Sequence, residues 1–271
     1  MSERRTSPGD RWTDGLTGWT IPEDVLAAAP ASPWGFSVEG FADRARRQRD
    51  APTPAHAVAR EALPDGGTVL DVGCGGGAAS LPLVPPAGHV TGVDESSGML
   101  EVFRVAIEAA GATVTTVAGR WPDVADRVAL HDVVVAQDVV YNVPDLAGFA
   151  WALDRHARRR VVLVLPTVHP MSWTTPYWRR LHGLERPTEP TVDTAVAVLA
   201  GLGFDVQRQS WREPTLWSFA DPAVAVEYVR QRLCLTPDRD DEIRAALDDT
   251  PVPVEREAWA LWWAPRRVSA G

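Results

Sequence analysis

The chain has 271 residues, 45% of them apolar and 23% charged, with a formal net charge of −9. That length supports one large domain, or one domain with a lid, around a well-buried core. The acidic balance, with a pI near 5.2, argues against nucleic acid or an anionic membrane surface as the default partner; two cysteines, Cys74 and Cys234, provide neither a disulfide framework nor metal-ligand spacing.

Residues 1–11 are polar, without the apolar segment of a signal peptide or anchor, and no apolar run reaches membrane-spanning length, so a cytoplasmic protein is expected. Residues 1–52 place Trp12, Trp19, Trp34, Phe36 and Phe41 ahead of a charged run at 44–50, which predicts an irregular arm and a short helix lying over the domain. Pro52 and Pro54 open a helix at 55–63. Apolar and polar segments then alternate as repeated β-α units. Strands are predicted at 68–72, 89–94, 112–118, within 131–140 ending near Gln137 and Asp138, and at 160–166, with helices at 96–110 and 145–158. Beyond Pro166 the pattern loosens into an aromatic stretch at 167–190. A helix at 191–202, a strand at 204–211, helices at 222–233 and 239–247, and a last, antiparallel strand at 258–264 follow.

The stretch 68–83, TVLDVGCGGGAASLPL, reads as a buried β-branched strand, a glycine loop and a helix start. Gly73, Gly75, Gly76 and Gly77 remove Cβ atoms where a backbone turns sharply or touches a ligand. Amides at a helix start would face the crevice of an open α/β sheet, so a cofactor site is expected. Gly73-x-Gly75-x-x-Ala78, with Asp94 further on, fits a dinucleotide fingerprint. Four features favour another class: Asp71 in D-V-G-C-G-G-G, then 93–100 (VDESSGML), 118–122 (AGRWP) and 133–143 (VVVAQDVVYNV). On these motifs, spanning roughly residues 66–166, the sequence resembles the class I S-adenosylmethionine-dependent methyltransferases.

The resemblance implies a doubly wound, mostly parallel seven-stranded sheet of the Rossmann-like class I methyltransferase fold, and S-adenosylmethionine as cofactor. It places Gly73 and Gly75 against the methionine portion, with Asp71 near its ammonium group and Gln137 facing the same end. Asp94 would accept from the ribose hydroxyls, Glu95 and Met99 would line the ribose and adenine side, and the backbone around Arg120 and Trp121 would meet the adenine edge. Methyl transfer needs a base only where the nucleophile must lose a proton. His169, Tyr141 and Asp138, at strand ends, are the candidates, His169 first. His56, His89, His131 and His156 read as surface residues, and no metal is expected.

Twelve tryptophans are many for this length. Trp173, Tyr177, Trp178, His182, Trp217, Phe219 and Tyr228 fall outside the cofactor core, as do Trp12, Trp19 and Trp34; they suit walls around an apolar or aromatic acceptor, or the core of a helical lid. The expected organisation is an arm at 1–52 and a methyltransferase domain at 53–271 with lid inserts at 167–190 and 213–256. The expected function is methyl transfer to O, N or C of a small organic molecule. A different reaction of the same cofactor, such as cyclisation, and a non-catalytic binding role are the alternatives.

Overall fold

The computed structural model describes residues 6–35, 37–215, 219 and 221–266, so Phe36 and Trp217 lie outside the described residues. Three helices come first: α1 (Pro8–Thr17), α2 (Glu23–Ala27) and α3 (Val38–Asp50). Ser7 caps α1 through a capping box with Asp10, and Ser37 caps α3 by accepting from the Gly40 amide. α4 (Pro54–Ala62) has proline at its first position, where no amide hydrogen is needed.

β1 (Thr68–Val72), β2 (His89–Asp94), α5 (Ser97–Ala110), β3 (Thr113–Ala118) and β4 (His131–Gln137) follow. Next come α6 (Leu146–His156), β5 (Ala157–Pro166), α7 (Thr175–His182), α8 (Val192–Gly201) and β6 (Gln207–Pro214). The order ends with α9 (Pro222–Arg232), α10 (Asp240–Asp249) and β7 (Glu255–Trp263). They form one seven-stranded sheet in the order β3-β2-β1-β4-β5-β7-β6. β1 to β5 are parallel, and β7 runs antiparallel to both β5 and β6. This is the mostly parallel, doubly wound, seven-stranded sheet that the resemblance to class I methyltransferases implies. The strand order reverses between β1 and β4, and a crevice opens at their carboxyl ends.

Successive strand residues serve opposite faces. Leu70, Val134, Leu163 and Leu261 pack with Phe149 and Leu153 of α6 and Leu199 of α8. Val69, Val133, Val162 and Ala260 pack on the other face with Val58 of α4 and Phe103 and Ile107 of α5. A separate cluster joins Tyr177 and Trp178 of α7, Val226 and Val229 of α9, and Ile243 of α10, with Ile21 from the amino-terminal segment. These helices beyond β5 therefore have a core of their own, and two of the aromatics that suited an acceptor wall are spent on it.

Three expectations change. No α-helix follows the glycine loop directly: residues 73–80 are turns, and only a short 3-10 turn forms at Leu81–Leu83. Pro82, Pro85 and Pro86 withhold the amides a helix would need there. α3 occupies the space instead, since a Cβ on Gly76 would sit 2.6 Å from the Phe41 carbonyl oxygen and 2.9 Å from the Ala42 nitrogen. Gly76 is thus small for the sake of a packed helix. β6 runs later than the predicted 204–211, because Phe204 is withdrawn into the core, stacked on Trp263 with ring centroids 4.9 Å apart.

His56 and His131 are buried rather than on the surface. In α4, the Nδ1 of His56 accepts from the Thr53 amide at 2.9 Å, which leaves its Nε2–H to donate to the Ala78 carbonyl at 2.9 Å, pinning the helix to the glycine loop. His131 joins the Thr91 hydroxyl at 2.8 Å, and burial lowers its pKa from 6.5 to about 4. Between those values the unfolded chain binds a proton that the folded chain does not, so stability falls as pH drops through the window, by about 1.4 kcal/mol per pH unit for this residue. The His131→Gln variant is expected to show a flatter profile of unfolding free energy from pH 6 to 4.5, by that slope. Parallel denaturation profiles for variant and wild type would contradict it.

Candidate functional site

The crevice at the strand-order reversal opens into a cavity of about 860 Å³. Its wall contains Gly73, Gly75, Asp94, Glu95, Met99, Arg120, Trp121, Gln137, Asp138, Tyr141 and His169. Asp71, by contrast, is not on the wall. Its carboxylate is 1% exposed and accepts from the Ser80 hydroxyl at 2.6 Å, tying the strand end to the turn beyond the glycine loop. Burial pushes its pKa up to about 7, against the pull of the Ser80 hydrogen bond.

The glycine loop is held by Asp94. Its Oδ2 accepts from the Gly75 amide and its Oδ1 from the Ser96 amide, both at 2.9 Å. Each carboxylate oxygen can accept a further bond. Gly73 has φ +68, and a Cβ there would meet Val139 Cγ2 at 2.4 Å, so any side chain is excluded on two counts. Glu95 and Arg120, 3.5 Å apart and both well exposed, make a weak pair at the mouth.

At the end of β4, Asp138 takes the left-handed conformation with φ 59, which costs on the order of 1 kcal/mol outside glycine. Its Oδ2 lies 2.5 Å from Arg44 and 2.8 Å from Arg256. Arg256 also pairs with Glu213 at 2.6 Å, and Arg44 approaches Glu213 at 3.9 Å. Two cations and two carboxylates are thus buried beside the cavity, drawn from α3, β6, β7 and the end of β4. Burial alone would raise the Asp138 carboxyl; the two guanidinium groups outweigh it and hold it at about 2. A carboxylate so stabilised is a weak base.

The other candidate bases are also committed. The Tyr141 hydroxyl donates to the Pro166 carbonyl at 3.0 Å, and burial raises its pKa. Its ring stacks on Trp12, whose Nε1 donates to the Val143 carbonyl at 2.8 Å. His169 lies parallel to Trp19 with centroids 4.1 Å apart. Burial, with a smaller contribution from Arg186, lowers its pKa to about 3. Its Nδ1 accepts from the Met171 amide at 3.2 Å, which assigns the proton of the neutral ring to Nε2. His169 therefore presents a donor, whereas a general base needs a free lone pair.

On the wall, the buried Trp121 Nε1, Gln137 Oε1 and Asp138 Oδ1 have no hydrogen-bond partner among the described residues. Buried groups of this kind cost about 1–3 kcal/mol each when left unpaired, so they mark where a polar ligand belongs. One donor beside β3 and two acceptors beside β4, with a carboxylate at the end of β2, fit an elongated ligand carrying a heteroaromatic ring, vicinal hydroxyls and an ammonium group. That is the chemistry of S-adenosylmethionine. Among the described residues, no group of three His, Cys, Asp or Glu side chains could hold a metal ion.

Sequence reasoning missed Arg44, Arg256, Glu213 and Arg186, and it read Phe41 only as an aromatic of the arm. Arg44 sits in a charged run that reads as solvated, and no local signal shows that four charges from distant segments meet. The aromatic arm did carry a signal, since tryptophans in a polar segment must pack on something.

A model of the methyltransferase domain family matches residues 69–159. Among curated proteins, the chain is 28% identical over 169 residues to a ubiquinone biosynthesis O-methyltransferase of Paramagnetospirillum magneticum, covering 55% of this chain and 68% of that one. It is 27% identical over 164 residues to the protein of that name from Azorhizobium caulinodans, covering 53% and 65%. The matched stretch thus spans about two thirds of each relative. Among solved structures, the YcgJ protein of Bacillus subtilis superposes with a TM-score of 0.54 at 18% identity, over 79% of this chain and 98% of that one. A methyltransferase from Geobacter sulfurreducens, solved with S-adenosylhomocysteine, gives 0.51 at 19% identity over 91% and 99%. With the strand order, the glycine loop and the domain match in agreement, the chain has the class I S-adenosylmethionine-dependent methyltransferase fold, and residues 69–159 match the methyltransferase domain family.

Proposed function

We propose that the chain methylates a hydroxyl oxygen of a small, planar, aromatic acceptor. The observation that carries this reading is that one cavity joins the Asp94 side of the sheet to a wall built from Trp19, Tyr141, His169 and Met171. An aromatic wall favours a flat apolar ring. Two curated relatives are named as O-methyltransferases of ubiquinone biosynthesis, and the reading takes the oxygen acceptor from them. With a net charge of −9, nucleic acid is not the acceptor in this reading, and the reaction is placed in the cytoplasm. No described helix is long and apolar enough to cross a membrane.

When bound, S-adenosylmethionine supplies an electrophilic methyl group on its sulfonium. In this reading Asp94 accepts from the ribose hydroxyls while holding Gly75 and Ser96. Glu95 and Met99 flank the ribose and adenine, Arg120 borders the mouth, and Trp121 Nε1 donates to the adenine edge. Gln137 Oε1 and Asp138 Oδ1 accept from the ammonium group, with Gly73 and Gly75 letting the backbone come close. Asp71 acts at one remove, by fixing the turn that follows the loop. The arm at 1–52 and the segments 167–190 and 213–256 serve as the cover over the acceptor, excluding water and fixing its approach.

Tyr141, His169 and Asp138 are all committed to other bonds, so the acceptor itself must yield its proton readily. A phenolic hydroxyl does so, giving its proton to solvent water before the methyl group is transferred, and the His169 Nε2–H can donate to the phenolate oxygen so formed. The experiment is incubation with methyl-labelled cofactor and a panel of phenols. Label recovered in an O-methyl product is expected. Label retained on the sulfur product would sink the reading in favour of cyclisation, and cofactor binding without turnover across the panel would favour a binding role.

A further inference from the structure

Beside the main cavity lies a smaller chamber of about 20 Å³, lined by Trp19, His169, Met171, Thr174, Trp178 and Arg186 among others. Trp19, His169 and Met171 line both spaces, so the chamber is a side recess of the acceptor end. Its volume is close to what one water-sized group needs, about 10–15 Å³. An aromatic ring does not fit there, but the oxygen of a ring substituent does.

Arg186, in the loop between α7 and α8, brings an unbalanced charge to this recess. Its guanidinium carbon lies 5.3 Å from the Trp19 ring centroid and 5.0 Å from that of Trp178. Its Nη1 donates to the Thr20 carbonyl at 3.3 Å and its Nη2 to the Trp19 carbonyl. Its Nε is buried without a hydrogen-bond partner. None of the ion pairs among the described residues includes Arg186, and the neighbouring Glu185 is taken by Arg179 at 2.5 Å. Burial is what lowers the Arg186 pKa, with no carboxylate acting against it. Arg232 lines the same recess, its Nη2 donating to the Gly35 carbonyl at 2.7 Å.

The geometry leaves room for an anion. Arg186 is half-buried, so its desolvation costs only part of the several kcal/mol of full burial. The Trp19 and Trp178 rings recover roughly 0.5–2 kcal/mol each and the carbonyl bonds satisfy hydrogens, but neither neutralises the charge. A neutral donor would hold the Trp19 loop equally well, so a strap alone does not account for a cation here.

Resting on the aromatic-acceptor reading above, we propose that Arg186 determines specificity, selecting an aromatic acceptor whose ring carries a carboxylate that enters this recess. Such an acceptor lays its ring along Trp19 and His169 and directs its anionic group to the guanidinium, leaving the hydroxyl toward the main cavity. The carboxylate balances the half-buried charge, and a neutral analogue leaves it unbalanced.

The test is calorimetric titration of the S-adenosylhomocysteine-loaded protein with 3-hydroxybenzoate and its neutral isostere 3-hydroxybenzamide. The wild type is expected to bind the benzoate at least tenfold tighter. In Arg186→Gln the two affinities are expected to fall within about twofold of each other, with S-adenosylhomocysteine affinity unchanged; a purely structural role would weaken both probes alike and leave the ratio intact. Arg186→Lys, which keeps the charge, is expected to retain at least a threefold preference. Equal binding of the two probes by the wild type, or a preserved tenfold ratio in Arg186→Gln, would overturn the assignment while leaving the aromatic-acceptor reading standing. Binding of neither probe would overturn both. Should Arg186→Gln fail to fold, the wild-type ratio and the lysine variant decide.

Discussion

Replacing Asp94 with alanine is expected to weaken S-adenosylmethionine binding at least tenfold, about 1.4 kcal/mol, and by more if the glycine loop shifts. The carboxylate occupies both roles at once: its two oxygens accept the Gly75 and Ser96 amides at 2.9 Å, and it lines the cavity. Asn at this position keeps one acceptor oxygen and loses the charge, so Asp94→Asn should fall between wild type and Asp94→Ala. Equilibrium titration with S-adenosylmethionine measures all three. An unchanged dissociation constant in Asp94→Ala would remove this residue from the site, whatever the loop does.

The largest effect on stability is expected from Arg256→Met. This arginine bridges Asp138 at 2.8 Å and Glu213 at 2.6 Å, and all three side chains are largely shielded from solvent, at 14%, 11% and 9% exposure. Removing it leaves two buried carboxylates facing Arg44 alone. The expected cost is about 3–5 kcal/mol, because an uncompensated buried charge is far dearer than the pair was worth. For a chain of this size that lowers Tm by roughly 6 °C or more. The double variant Arg256→Met/Glu213→Gln removes one charge of each sign and should recover part of the loss, a coupling that a double-mutant cycle reads directly. A loss under about 1 kcal/mol in Arg256→Met, or strict additivity in the cycle, would mean that the four groups do not act as a unit.

Much of this architecture is legible in the sequence because it is set by local pattern. Short β-branched runs such as 68–72 and 133–135, too short for helices and bounded by turn residues, read as interior strands, and the acid at 94 ends the next one. What is not legible depends on contacts between distant segments. α3 lies on the glycine loop because Gly76 leaves room for the Phe41 carbonyl, a relation that neither stretch announces by itself. Arg44 looks like one charge among several in a solvated helix until β4, β6 and β7 bring it opposite Asp138 and Glu213. His169 shows the same limit at finer grain. Its place after β5 suggests a base, and only the Met171 amide on Nδ1 turns its free edge into a donor. Asp71 is a related case: the motif puts an acid at the strand end, while the Ser80 hydroxyl at 2.6 Å decides that it faces inward.

A crystal structure with S-adenosylhomocysteine decides whether one cavity seats the cofactor against Asp94 and Trp121 with its sulfur toward the aromatic end. Ribose hydroxyls are expected on the Asp94 carboxylate, the Trp121 Nε1 bonded at the adenine edge, the amino group on Gln137 Oε1 and Asp138 Oδ1, and the sulfur open toward Tyr141 and His169. A cofactor product lying with its ribose away from Asp94, or with its sulfur closed off from the Tyr141 and His169 wall, would contradict this placement.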